Sequence, residues 1–152
     1  SFTGDDRLRG NVERVSGTPT IDSFSSYLGV DGTTGSCSLY WYLLSSTSVS
    51  GPWTVEWSDT TTASDGTGWY DSGDIGQVLA DGDYVVFATA WESDCDVTYY
   101  RSSTGSFGMS SSHHGYAYDD AFAESSYTSA TTTAPSSSSS SMVYYQRVVY
   151  TD

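Results

Sequence analysis

The sequence predicts an all-β fold: a single antiparallel β-sandwich, jelly-roll-like, with about eight to ten short strands. Three observations predict it. β-Branched and aromatic residues recur in short runs broken by Gly, Ser, Asp and Thr, the punctuation of strands and turns. Helix signals are nearly missing: Asp119-Asp120-Ala121-Phe122-Ala123-Glu124 opens on acids but carries one large apolar residue, enough for a short turn at most. The length, 152 residues, suits one domain around one core, and no internal repeat is visible, so one sandwich is expected over 1–152.

The strands follow in order. Leu8 to Val15 reads as the first, with Leu8 and Val12 on one face and Arg7, Arg9, Asn11 and Glu13 on the other. Thr20 to Leu28 is the second; Phe24 and Leu28 alternate inward while Ile21 is out of phase, as a bulge would make it. Ser38 to Leu44 is apolar on both faces, with Leu39, Trp41 and Leu43 opposite Tyr40, Tyr42 and Leu44. Trp53, Val55 and Trp57 alternate in a fourth strand, between polar loops at Ser45 to Pro52 and Thr60 to Gly68. Ile75 to Leu79 and Tyr84 to Trp91 read as a hairpin across Ala80-Asp81-Gly82-Asp83, because Asp-Gly supplies the positive φ of a tight turn. Val97 to Arg101 and Ser106 to Met109 are shorter candidates, and Met142 to Tyr150 is the last strand.

Composition narrows the function classes. There are 19 Asp plus Glu against 5 basic residues, all Arg, for a net charge of −14. Such a surface offers no basic face for a nucleic-acid backbone and is repelled by anionic membranes. Without Lys, no Lys–Asn isopeptide crosslink can form. Charged residues are 16% of the chain, against roughly a quarter in ordinary soluble domains, so solubility rests on Ser, Thr, Gly and Asp. No apolar run approaches the ~20 residues of a membrane span. No signal peptide opens the chain, so a secreted form is expected to have lost it before Ser1.

Cys37 and Cys95 are the two cysteines. An even count in an acidic, Ser/Thr-rich chain points to one disulfide in an oxidising compartment, the alternative being two buried thiols. The stretch 125–141, with Ser136 to Ser141 in unbroken succession, reads as a Ser/Thr-rich loop and a candidate for O-linked sugar. The segment 1–10 reads as an extended N-terminal arm.

Candidate chemistry is sparse. His113-His114 are neighbours in sequence, which on a strand point to opposite faces and so rarely share a metal. Asp94, Asp96, Asp119 and Asp120 are candidate calcium ligands, since calcium takes loop carboxylates, although no EF-hand or nonapeptide pattern accompanies them. No serine sits in a nucleophile elbow, and the four glutamates, Glu13, Glu56, Glu92 and Glu124, are scattered, so no catalytic residues and no required cofactor are expected. Trp41, Trp69 and Trp91 are expected in the core. Tyr99, Tyr116 and Tyr118 are candidates for stacking on sugar rings, with Tyr100, Trp53 and Trp57 beside them.

Arg9-Gly10-Asn11-Val12, Ser50-Gly51-Pro52-Trp53-Thr54, Gly66-Thr67-Gly68-Trp69-Tyr70, Leu79-Ala80-Asp81-Gly82-Asp83-Tyr84 and Val143-Tyr144-Tyr145-Gln146-Arg147 together resemble a group of jelly-roll-like β-sandwich modules of large secreted or surface bacterial proteins. The resemblance spans nearly the whole chain, implies the same sandwich, and brings no catalytic residue. Modules of this kind are usually appended to longer chains.

Two functions are compatible with these features. One is a non-catalytic extracellular structural subunit of a filament, sheath or surface assembly, self-associating by β-strand addition through Phe2, Arg7, Leu8 and Arg9 of the arm. The other is a secreted carbohydrate-binding module, calcium-assisted through its Asp-rich loops.

Overall fold

The computed structural model describes residues 2–48, 52–102, 116–124 and 143–151, with side chains described over 7–48, 52–100 and 144–151. Its elements are β1 (Phe2–Arg14), β2 (Thr20–Gly32), β3 (Ser36–Ser46), β4 (Thr54–Ser64), β5 (Gly66–Asp71), β6 (Gln77–Val78), β7 (Tyr84–Tyr99), β8 (Arg101–Ser102), β9 (Tyr116–Glu124), β10 (Val143–Tyr144) and β11 (Gln146–Thr151). The fold is an antiparallel β-sandwich. Among the described residues no helix is long and apolar enough to cross a membrane.

Strand β7 organises the molecule. Its first half, Tyr84 to Trp91, lies between β1 and β3, whereas its second half, Cys95 to Tyr99, lies between β1 and β2. The strand thus leaves one layer and enters the other, which is how sandwich corners are made. The change falls where the β1 register jumps from Asp5 opposite Asp96 to Arg7 opposite Trp91. A strand flanked on both edges and covered on both faces must be apolar throughout, and Val85 to Trp91 is buried along its length.

The inner core lies between β2 and β11 on one side and β3 and β7 on the other. Phe24 sits at its centre, edge-on to Trp41 and to Phe87, each at 5.3 Å between ring centroids. Cys37 and Cys95 form a disulfide that ties β3 to β7, with their Cα atoms 5.6 Å apart. A second cluster, Leu8, Val12, Leu44, Val86, Ala88 and Ala90, occupies the opposite face of β1, β3 and β7, with Tyr42, Trp53 and Val55 packed against it.

Several sequence expectations take a different form. Leu8 and Val12 do share a face, but the opposite face of β1 is not solvent: Asn11 and Glu13 are 2% and 1% exposed. The alternation of Trp53, Val55 and Trp57 breaks, because Leu43 and Leu44 pair with Trp57 and Val55 and leave Glu56 as an extra residue. Trp57 thereby joins the inner core while Val55 joins the second cluster. The expected loop Thr60 to Gly68 is instead the end of β4, a turn at Asp65 and the start of β5; β-branched threonines sustain an exposed strand without apolar alternation. The Asp81-Gly82 turn forms, with Gly82 at φ 83°, but it joins strands of different layers, since β6 pairs with β2 and not with β7. The acidic stretch at Asp119–Glu124 lies in β9, paired with β1, rather than in a helical turn. The bulge expected near Ile21 is present: Val149 pairs with Ser23 and Tyr150 with Ile21, so Asp22 is the extra residue.

The segment 1–10 is also corrected. From Phe2 onward it belongs to β1, paired with β7 along its length and, from Leu8, with β9 on the other edge. Gly10 passes close to the β7 backbone, where an added Cβ would lie 2.4 Å from the Phe87 carbonyl oxygen. The described part of the segment is thus paired within its own chain, as a central strand from Leu8 onward.

Candidate functional site: an aromatic face on β2

Alternation along β2 sends Phe24, Ser26, Leu28 and Val30 inward and leaves Ser25, Tyr27, Gly29 and Asp31 on the outer face. Residues directly opposite across a ladder share a face, so the pairing partners complete that surface. Ser25 lies between Asp71 of β5 and Arg147 of β11, and Tyr27 lies opposite Trp69. Gly29 lies between Thr67 and Thr98, and Asp31 lies opposite Asp96. On its other edge Asp96 pairs with Asp5, so three aspartate positions stand in one rung across β2, β7 and β1.

The rings form one connected row. Tyr27 meets Trp69 edge-on at 5.3 Å and Tyr100 edge-on at 5.2 Å. Tyr100 in turn stacks against Tyr145, with centroids 6.1 Å apart. The backbone holds the row together, because Tyr27 N–H donates to the Tyr145 carbonyl at 2.9 Å and Tyr145 N–H to that of Tyr100 at 3.1 Å. At one end the Arg147 guanidinium lies over the Trp69 ring, 3.7 Å from its centroid. This is a close cation–π contact. Among the described residues Arg147 has no carboxylate partner, in a chain with a net charge of −14. Beside it, Asp71 accepts from Ser25 Oγ at 2.8 Å and from Gly73 N–H at 2.7 Å. Trp69 is 37% exposed, which corrects its expected place in the core.

Beyond the row the surface dips. Gly29 has no side chain, and a Cβ there would come within 3.2 Å of Thr67 Oγ1 and 3.4 Å of Thr98 Cβ. The face therefore runs along β2 as cation, aromatic ridge, dip and acid rung. Two clefts among the described residues are small. The cleft between Val15, Leu79 and Tyr84 holds about 90 Å3, and the space under Arg9, Tyr99 and Gln146 about 10 Å3. A small-molecule pocket usually needs roughly 300–1,000 Å3.

Comparison with known proteins finds no family model, no curated protein and no solved structure that matches the chain. The outer face of β2 rests on its own geometry.

Other residues singled out from sequence fall elsewhere. Tyr99 is buried: its ring packs against Trp91 and Tyr144, with the Arg9 guanidinium 4.9 Å from its centroid. It offers no open face for a sugar. Tyr116 and Tyr118 are on β9, where the described structure is backbone alone, as it is for Phe2 on β1. Leu8 is 1% exposed, Arg9 is half-buried and donates to the Leu8 carbonyl at 2.8 Å, and Arg7 lies opposite Trp91. Asp94 and Asp96 are exposed on β7, either side of the buried Cys95. Burial, then Glu92 and after it Asp94, hold the Tyr40 hydroxyl above its usual pKa. Asp119 and Asp120 lie on β9, where the register against β1 shifts. Among the described residues no three metal-ligating side chains come together. His113-His114 and the Ser/Thr-rich 125–141 lie outside the described residues.

The aromatic face itself was only partly visible in the sequence. Tyr100 stands out as a stacking candidate, but Tyr27, Trp69, Tyr145 and Arg147 lie far apart along the chain, and only strand register brings them together.

Proposed function

We propose that the protein is a non-catalytic, extracellular structural subunit that associates with copies of itself through the outer face of β2. The row Trp69–Tyr27–Tyr100–Tyr145 with Arg147 stacked on Trp69 is the observation that carries this reading. Trp, Tyr and Arg are the residues that dominate binding energy at protein interfaces, and rings already locked against one another lose little entropy on docking. The Cys37–Cys95 disulfide suits an oxidising, extracellular setting.

A carbohydrate-binding role is the second reading, favoured by the threonine hydroxyls and carboxylates beside the row. It is the weaker one because the π-faces a sugar would use are occupied within the chain: Arg147 covers Trp69, and Tyr145 stacks on Tyr100.

Electron microscopy and sedimentation of the natively secreted protein over a concentration series test the proposal. Regular assemblies that disperse in Trp69→Ala are expected. Single particles at every concentration, retained on a glycan array through Trp69, would replace the structural reading with the carbohydrate one.

A further inference from the structure

We infer that the outer face of β2 is self-complementary and docks a second copy of this chain face to face about a two-fold axis. The inference rests on the assembly reading above and specifies its contact.

The argument comes from the order of features along the strand. Arg147 sits at the level of Ser25, the aromatic row at Tyr27, the dip at Gly29 and the acid rung at Asp31. Turning a second copy end over end about the level of Leu28 places Ser25 over Asp31 and Tyr27 over Gly29. Each ridge then meets a dip. The Arg147 position of each copy, on the same edge of β2 as β7, then faces the Asp96 position of the other, and its guanidinium, which reaches across β2 to Trp69, lies over the partner's Asp31 level. A two-fold contact requires this relation, in which one residue meets another and the second meets the first.

Charge supports the pairing. Like charges directly opposite on neighbouring strands are unfavourable, and the rung brings Asp31 and Asp96 into that position with Asp5 on the next strand. A guanidinium from outside relieves that repulsion, and Arg147, stacked over Trp69 on this face, supplies one. A like-charge approach arises on the β5 side, where Asp71 of each copy nears Asp65 of the other; hydrogen bonds from Ser25 and Gly73 to Asp71, and from Gly32 N–H to Asp65, already stabilise those carboxylates. From Ser25 to Asp31 the face is roughly 20 Å long. A footprint of that length and about three strands' width is roughly 300 Å2 per copy, below the roughly 1,000 Å2 in total that a stable pair needs, so a single contact is weak and is expected to show at high protein concentration or within a larger assembly.

The test is charge exchange followed by sedimentation velocity at low ionic strength, up to millimolar protein. Arg147→Asp and Asp96→Arg are each expected to weaken association at least about tenfold, and the double variant to recover to within about threefold of the parent. Circular dichroism of each variant checks that the monomer is folded. A parent that associates equally well in both single variants would overturn the face-to-face contact and leave self-assembly standing. A double variant no better than the singles would also overturn it. A parent that is monomeric throughout removes the contact and the structural-subunit reading together.

Discussion

The Asn11 carboxamide grips the backbone of Tyr144 by both of its polar groups. Its Nδ2 donates to the Tyr144 carbonyl at 2.8 Å, and its Oδ1 accepts from the Tyr144 N–H at 2.8 Å. Both residues are buried, and 133 positions separate them in sequence. The clasp pins β10, a strand of two residues, against the central strand β1. Close by, Gln146 donates to the Phe87 carbonyl at 2.8 Å and to Ser26 Oγ at 3.2 Å, and Ser26 hydrogen-bonds Thr89 at 2.8 Å. A polar lane therefore crosses the sandwich where β11 meets β2 and β7.

Asn11→Ala leaves a buried N–H and a buried carbonyl without partners and is expected to cost roughly 2–4 kcal/mol. Asn11→Asp loses the donor and sets a carboxylate against the Tyr144 carbonyl, so it is expected to be at least as damaging at neutral pH. Urea unfolding midpoints of the two variants check this.

Removing the Cys37–Cys95 disulfide, as the Cys37→Ala/Cys95→Ala pair, is expected to cost on the order of 4 kcal/mol. The bridge joins residues 58 apart, and the chain-entropy model assigns a loop of that length a stabilisation of this size. The fall in unfolding free energy should be matched by the parent under reducing conditions; a fall in the variant alone would assign it to lost packing of the sulfurs.

Alkaline conditions are expected to destabilise the fold. Burial, with the Glu92 and Asp94 carboxylates, raises the Tyr40 pKa, and burial with Asp65 raises that of Tyr70. A folded pKa above the unfolded value means that the native state holds the proton more tightly. The associated stability is complete below the unfolded tyrosine pKa of about 10 and is lost as pH rises through the folded value. For Tyr70 the lost proton is the one its hydroxyl shares with the carbonyls of Ser64 (2.7 Å) and Gly66 (3.0 Å) across the β4–β5 turn. Tyr40→Phe/Tyr70→Phe is expected to be less stable than the parent at pH 8 and to show a shallower decline above pH ~10, read from denaturation midpoints.

Strand β4 pairs on one side with β3, and among the described residues nothing pairs with its other edge. Exposed edges invite addition of another strand, and charges on them suppress it. Glu56 and Asp59 are the charges on this one, and Glu56 also accepts from Ser45 Oγ at 2.6 Å. Glu56→Gln/Asp59→Asn is expected to associate laterally at neutral pH, faster than the parent by light scattering, with the added contacts insensitive to Arg147→Asp. Unchanged scattering would show that the edge is protected by other means.

The sequence by itself determined the fold class, most strand positions and the disulfide. Periodicity is a local property: Tyr84 to Trp91 can be apolar on both faces only as a covered central strand, and Asp81-Gly82 turns whichever strands it joins. The same local reading failed where a long-range partner decided the outcome. Asn11 and Glu13 look like a solvent face, yet both are buried in the folded chain, Asn11 against Tyr144 of β10, and Thr60 to Ser64 look like a loop until β3 supplies the ladder. Trp69 looks like core until register sets it on the outer face. The aromatic face is wholly of this kind. Its members come from β2, β5, β11 and the end of β7, and no spacing along the chain marks them as neighbours. A one-residue slip in any of those ladders would turn its side chains to the opposite face, so register, which only the folded sheet specifies, decided whether the site exists.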